Sequence, residues 1–449
     1  MTITRHLFIS VTCVLAWMSV APAAITLPPV ISDHMVIQAD AAAPIYGTAA
    51  PGEAITVEIK GQTQKTVADA SGKWLVKLEP LAAGGPLELK VSGTNTITVT
   101  DVLVGEVWLA SGQSNMAMTL GRCTDGAAVA AKANYPTIRY LRHYADTPEF
   151  VRMKWVVVTP KIAPLMSGAC YYFATNLQEK HQSPIGIIDN SVSGAIGKSF
   201  LSKEALESDP KLKALLNTTE FGENFEGGFR SLIPYAIRGV LWYQGEGDRG
   251  RSDVYASILP ALINDWRTHW KNEKLPVIIV QLANAFAKTP EPRGGEDCQL
   301  RDVQLKTVQK TANTALVVTI DIGVEDVHYP NKKTLGERMA IAARGLAYGE
   351  KIEISGPIFE SAKFQGYKAI ISFTHVGGGL MAKGDTLTGF ALSGADGKWV
   401  RAEAKIDAQT VTVTSAKVPS PTAVRYAWDK NPDCNLYNKE GLPASPFGP

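Results

Sequence analysis

Ser114 stands where an apolar run, Val107-Trp108-Leu109-Ala110, breaks onto the small polar loop Ser111-Gly112-Gln113-Ser114-Asn115. A hydroxyl presented on such a loop can act as a nucleophile if a base takes its proton and donors receive the oxyanion that forms. Later segments offer those groups. Two apolar runs end in short polar loops, Ile187-Ile188-Asp189-Asn190-Ser191-Val192-Ser193-Gly194 and Val240-Leu241-Trp242-Tyr243-Gln244-Gly245-Glu246. A third segment, Asp326-Val327-His328-Tyr329-Pro330, pairs a carboxylate with an imidazole. His328 fits the base, since a neutral imidazole can take the Ser114 proton and return it to a leaving alcohol. Asp326 would orient that imidazole and fix its tautomer. The backbone N–H groups of Ser114 and Gly194 and the side-chain amide of Gln244 could form an oxyanion hole. Gln113, Asn115 and Glu246 are expected to support the site, Glu246 by holding the Gln244 loop. No metal and no cofactor is required. Each group also has a plainer reading: Asp-x-His suits a surface loop, Gln244 a turn, and Asp248 is given no role. What favours chemistry is the joint order of Ser, Gly, Gln and Asp/His on successive strand ends.

The elements that would position these residues are legible from periodicity. From about residue 101 to 350, apolar strands alternate with helices. The expected strands are Val102 to Ala110, Ile185 to Asp189, Gly239 to Tyr243, Val277 to Gln281 and Ala315 to Ile320. Helices are expected over Val254 to Trp270, where apolar residues recur every 3.6 positions, and over Thr334 to Tyr348. Such alternation indicates an α/β core whose parallel sheet is covered on both faces, with ligands at the C-terminal rim of the strands. Short alternating strands separated by turn signals, such as Ile55 to Ile59, Trp74 to Leu78 and Leu87 to Val91, make 24–100 an N-terminal β-sandwich domain. Alternation returns in 351–449, a C-terminal β region whose tail, Cys434 to Pro449, is expected to be extended coil.

Composition narrows the function classes. The 449-residue chain has a net charge of +2 and no basic block, which excludes nucleic acid as a partner. Residues 1–23 read as a signal peptide: Arg5 and His6, then the apolar Leu7 to Val20, then Ala21-Pro22-Ala23. A secreted or periplasmic protein is expected, with no stable membrane insertion after cleavage. Cys13 would leave with the leader. Cys123, Cys170, Cys298 and Cys434 then remain, either as two disulfides of unknown connectivity or as four free thiols.

The stretches Gly105 to Met116, Trp242-Tyr243-Gln244-Gly245-Glu246 and Asp326-Val327-His328 resemble the signature blocks of sialate O-acetylesterases and related carbohydrate esterases, a branch of the SGNH hydrolases. The resemblance runs from Leu27-Pro28-Pro29-Val30 to Ser445-Pro446-Phe447. It implies a flavodoxin-like catalytic domain, a nucleophile at Ser114, an oxyanion donor at Gln244 where other SGNH enzymes carry Asn, and an Asp326/His328 pair. The implied activity is hydrolysis of O-acetyl esters of carbohydrates, with sialic acids as the family-level substrate. Xylan or pectin deacetylation and a non-catalytic carbohydrate-binding role are the alternatives. Two departures stand out. The family's Trp-Gly-Gly-Thr is here Val192-Ser193-Gly194-Ala195, and its Asp-x-His-Pro is here Asp326-Val327-His328-Tyr329. The chain also looks shorter than many relatives between the first and third blocks.

Overall fold

The computed structural model describes residues 24–143, 152–217, 222–289, 291 and 293–448. The expected leader and Cys13 lie outside them. The α/β core is built on seven strands: β1 (Thr96–Gly112), β2 (Tyr135–Arg142), β3 (Trp155–Val158), β4 (Ile185–Ser191), β5 (Gly239–Tyr243), β6 (Val277–Val280) and β7 (Thr314–Val317). They lie in the order β7-β6-β5-β1-β4-β2-β3, all parallel except the edge pair β2/β3. Every residue of β5 is buried, as is the second half of β1, so side chains pointing to either face are covered.

The covering helices are α2 (Gly168–His181) packed on α5 (Lys332–Tyr348), and α3 (Ser252–His269) packed on α4 (Glu296–Lys310); α1 (Ser114–Ala117) is a single turn after β1. The apolar stripe of α3 expected from sequence is buried, including Tyr255, Leu259, Leu262 and Trp266. Trp266 lies 5.3 Å from Trp242 of β5 and stacks on Phe229 at 5.5 Å. Rings of this size bury roughly 150–250 Å² each, worth about 4–6 kcal/mol by area, and so fix α3 against the sheet.

Strand β1 passes through the expected domain boundary at 100/101. Its first half pairs with Gly84–Ser92 and with Val36–Gln38, so the N-terminal strands and the core share one sheet. The C-terminal region is antiparallel, with a four-stranded sheet that includes Ile358–Gln365 and Lys368–Thr374 and a three-stranded one centred on Phe390–Ser393. The tail is more ordered than the expected coil. Leu436–Asn438 pairs with Leu380–Ala382, Phe447 stacks on Phe359 at 4.3 Å, and the Ser445 hydroxyl accepts from Gln281 Nε2 at 2.9 Å. The backbone groups of a proline-bearing tail need partners once buried, and these contacts supply them. Cys123, Cys170, Cys298 and Cys434 are free, which decides for thiols over disulfides. Among the described residues no helix is long and apolar enough to cross a membrane.

Candidate active site

Parallel pairing sets β1 between β4 and β5, with Gly112 opposite both Ser191 and Tyr243. Gly112 has a φ of +129°, and a Cβ there would lie 2.0 Å from the Tyr243 carbonyl oxygen. Only glycine lets the strand ends come this close. Gln113 then adopts an extended conformation, and Ser114 opens α1. Gln113 is buried, its N–H donates to Tyr243 O at 2.9 Å, and its Oε1 accepts from the N–H groups of Gly245 and Gly247 at 3.3 and 3.0 Å. The loop before the serine is thereby tied to the loop after β5.

The loop after β7 carries His328 to the same rim. Its Nε2 lies 2.8 Å from Ser114 Oγ, within reach for a hydroxyl to donate to a neutral imidazole. Asp326 behaves differently from the expected tautomer-fixing partner. Its Oδ1 is 3.9 Å from His328 Nδ1, beyond hydrogen-bond range, and its side chain is 71% exposed. What it accepts is the His328 backbone N–H, at 2.8 Å. This is the local turn that Asp favours two residues before its partner, so the carboxylate shapes the loop that holds the ring.

Of the three expected oxyanion donors, two remain available. Ser114 N–H is the first of α1 and Gly194 N–H lies in the loop after β4; neither donates to any described residue. Gly194 has a φ of +77° with open space where a Cβ would be, and it is exposed. Gln244 corrects the expectation. It is fully buried, and its Nε2 donates to Asp248 Oδ2 at 2.7 Å and to Ala195 O at 3.3 Å, which commits both amide hydrogens. Flipping the amide would set its oxygen against the Asp248 carboxylate. Asp248, given no role from sequence, is buried and also accepts Gly197 N–H at 2.7 Å, so Gln244 and Asp248 together brace the loops after β4 and β5. Gln244→Ala is therefore expected to lower stability by about 1–3 kcal/mol, the cost of an under-satisfied buried carboxylate, while kcat falls less than roughly tenfold. Denaturant titration and steady-state kinetics check this. A loss of ~10²-fold in kcat at unchanged stability would return Gln244 to the oxyanion hole.

Asn115 and Glu246, expected as supporting residues, are bonded to each other next to Ser114. Asn115 is buried; its Nδ2 donates to Glu246 Oε1 at 2.6 Å and to Val327 O at 2.9 Å, and its Oδ1 accepts from Lys332 Nζ at 2.7 Å. Burial raises the Glu246 carboxyl above its ordinary value, the Asn115 bond opposing the shift. Lys332 was not singled out from sequence, because a lysine at a helix start gives no sign that it is enclosed.

Comparison with known proteins sharpens the reading. Residues 104–344 match the family model described as carbohydrate esterase, sialic acid-specific acetylesterase. The chain belongs to that family. The esterase is 29% identical to human sialate O-acetylesterase over 477 residues, covering 93% of this chain and 91% of the relative. It is 27% identical to the mouse sialate O-acetylesterase over 502 residues, covering 93% of each. Its fold matches the crystal structure of a carbohydrate acetylesterase from Xanthomonas citri with a TM-score of 0.87 and 35% identity, over 94% of this chain and 99% of that one. It is a carboxylic ester hydrolase.

The two departures from the family blocks have a structural reading in the esterase. Val192 N–H donates to Gly112 O at 2.9 Å, which keeps the loop after β4 beside Ser114 without the missing tryptophan. Tyr329, in the place of proline, is fully buried with its hydroxyl 3.1 Å from that of Tyr243, so it anchors the His328 loop from below.

Proposed function

We propose that this chain is an exported serine esterase that removes O-acetyl groups from sugars, sialic acids first among them, through an acetyl-enzyme on Ser114. The observation that carries the reading is the 2.8 Å contact between Ser114 Oγ and His328 Nε2. As His328 takes its proton, Ser114 Oγ bonds to the acetyl carbon and the carbonyl oxygen becomes an oxyanion. The unpaired N–H groups of Ser114 and Gly194 receive that charge. Collapse breaks the bond to the sugar oxygen, to which His328 returns the proton. A water then attacks the acetyl-enzyme with His328 again as base, releasing acetate and restoring Ser114. Export rests on the sequence of the first 23 residues.

Preference for an anionic sugar is supported at the rim. Arg301 is fully buried, donates to four backbone carbonyls and is structural. Arg249 pairs through Nε with Asp297 at 2.6 Å, its terminal nitrogens make no hydrogen bond to a described residue, and the Lys430 ammonium has no described carboxylate partner. Both cations lie over the exposed Phe286 ring, at 4.9 and 5.6 Å from its centre. Phe286 N–H donates to Glu325 O, on the loop that carries Asp326 and His328. A sugar carboxylate meets two donors there, and a neutral xylan chain has none to offer.

Acetate release from O-acetylated sialic acid, xylan and pectin tests this reading. The highest kcat/KM is expected on the sialic acid. Preference for xylan or pectin would overturn the substrate, and no release from any of the three would leave the binding-protein alternative.

A further inference from the structure

Lys332 is fully enclosed at the start of α5. No described carboxylate lies within salt-bridge distance of its ammonium, whose neighbours are Asn115 Oδ1 at 2.7 Å and the ring centres of Tyr329 at 3.5 Å and Tyr243 at 5.7 Å. Burial draws the lysine down to about 7 from 10.5, against the field of Glu246 and, more weakly, Cys123. Between those two values the unfolded chain holds the proton and the folded one does not, so stability rises with pH across that window. The charge works against the fold. A methionine of similar length would fill the space without that penalty.

The hydrogen bonds give the charge a use. The Lys332 ammonium can only donate and the Glu246 carboxylate accepts, so the Asn115 amide is addressed from both ends and can face only one way. In that orientation its Nδ2 reaches Val327 O. Asn115 adjoins Ser114, and Val327 adjoins His328. We propose that Lys332 is a positioning residue which, by orienting Asn115, holds the Ser114 turn and the His328 loop at reacting distance. The inference rests on Ser114 and His328 being the acting pair.

The groups facing the ammonium are Asn115 on α1, Glu246 after β5, Cys123, and Tyr243 and Tyr329. Burial keeps the Cys123 thiol and both phenols protonated at neutral pH. Deprotonation of Lys332 weakens the charge-assisted bond to Asn115, so kcat should decline above about pH 7.

The test compares wild type, Lys332→Met, Asn115→Ala and the double variant on 4-nitrophenyl acetate across pH, with thermal stability measured alongside. Lys332→Met should be at least as stable as wild type, lose roughly 10- to 100-fold in kcat at unchanged KM, and lack the alkaline decline. Asn115→Ala should show the same kcat loss and flat profile, and the double variant should be no slower than either. A Lys332→Met enzyme with wild-type kcat and profile overturns the inference. So do additive losses in the double variant, or an Asn115→Ala enzyme at full rate should Lys332→Met not fold. Serine-directed phosphonate labelling of the same wild-type preparation separates the two levels: an unlabelled Ser114 overturns the proposed function, whereas a labelled one beside unaffected variants overturns only the role of Lys332.

Discussion

Ser114→Ala is expected to reduce kcat on acetyl esters by roughly 10⁴-fold or more, with the melting temperature within a degree or two of wild type. The loss is large because in the proposed mechanism the hydroxyl is the atom that forms the new bond; without it, only binding and the oxyanion donors would accelerate attack by water. The fold is indifferent because the change removes one oxygen from a partly buried position whose side chain makes one described hydrogen bond, to His328. Met116, Gln113 and Asn115, which anchor the turn, are untouched. Steady-state rates and a thermal melt on one preparation decide the matter. An alanine variant retaining a tenth of the rate would move the nucleophile elsewhere, with Ser111 and Ser193 the next hydroxyls. Ser111 is fully buried and donates to Asn190 O at 2.9 Å, which makes it the poorer of the two.

His328→Ala should fall to within about tenfold of the serine variant, and combining the two changes should cost almost nothing more, since nucleophile and base act as one unit. Asp326→Asn should be far milder, a loss of only a few-fold. The asparagine keeps the oxygen that accepts His328 N–H, and the carboxylate it replaces is mostly exposed and 3.9 Å from the ring. A His328→Ala enzyme that keeps its rate would remove His328 as the base. Loss in Asp326→Asn equal to that in His328→Ala would mean that the carboxylate closes onto the ring when substrate binds.

Where burial follows from local pattern, the chain could be read directly. Gly239–Tyr243 is a strand with the expected ends because five consecutive residues are buried on both faces, and the 3.6-residue stripe of Ser252–His269 faces the sheet as periodicity requires. The helix Glu296–Lys310 went unread because it buries Asp297, Arg301 and Gln304 alongside Leu300 and Leu305, so no apolar stripe marks it. The strand Tyr135–Arg142 is buried only over its last five residues, which include Arg139 and Arg142, and this hides it in the same way. At the site, Ser114 and His328, expected together from residue type at strand ends, stand 2.8 Å apart. The facing of Gln244 was not. An amide at the end of a strand looks alike whether it points at a ligand or at Asp248, and the partner that takes its hydrogens is itself set by a 3-10 turn, Glu246–Asp248. Lys332 was hidden for a related reason: its enclosure comes from Tyr329, Tyr243 and Asn115, drawn from three separate stretches of the chain.

The most direct test of the central claim is covalent. The protein is treated with a serine-directed phosphonate and digested, and the modified residue is located by mass spectrometry. One adduct is expected, on Ser114, formed slowly or not at all in His328→Ala and absent from Ser114→Ala. An adduct on another residue, or one that persists in Ser114→Ala, would contradict an acetyl-enzyme mechanism at Ser114.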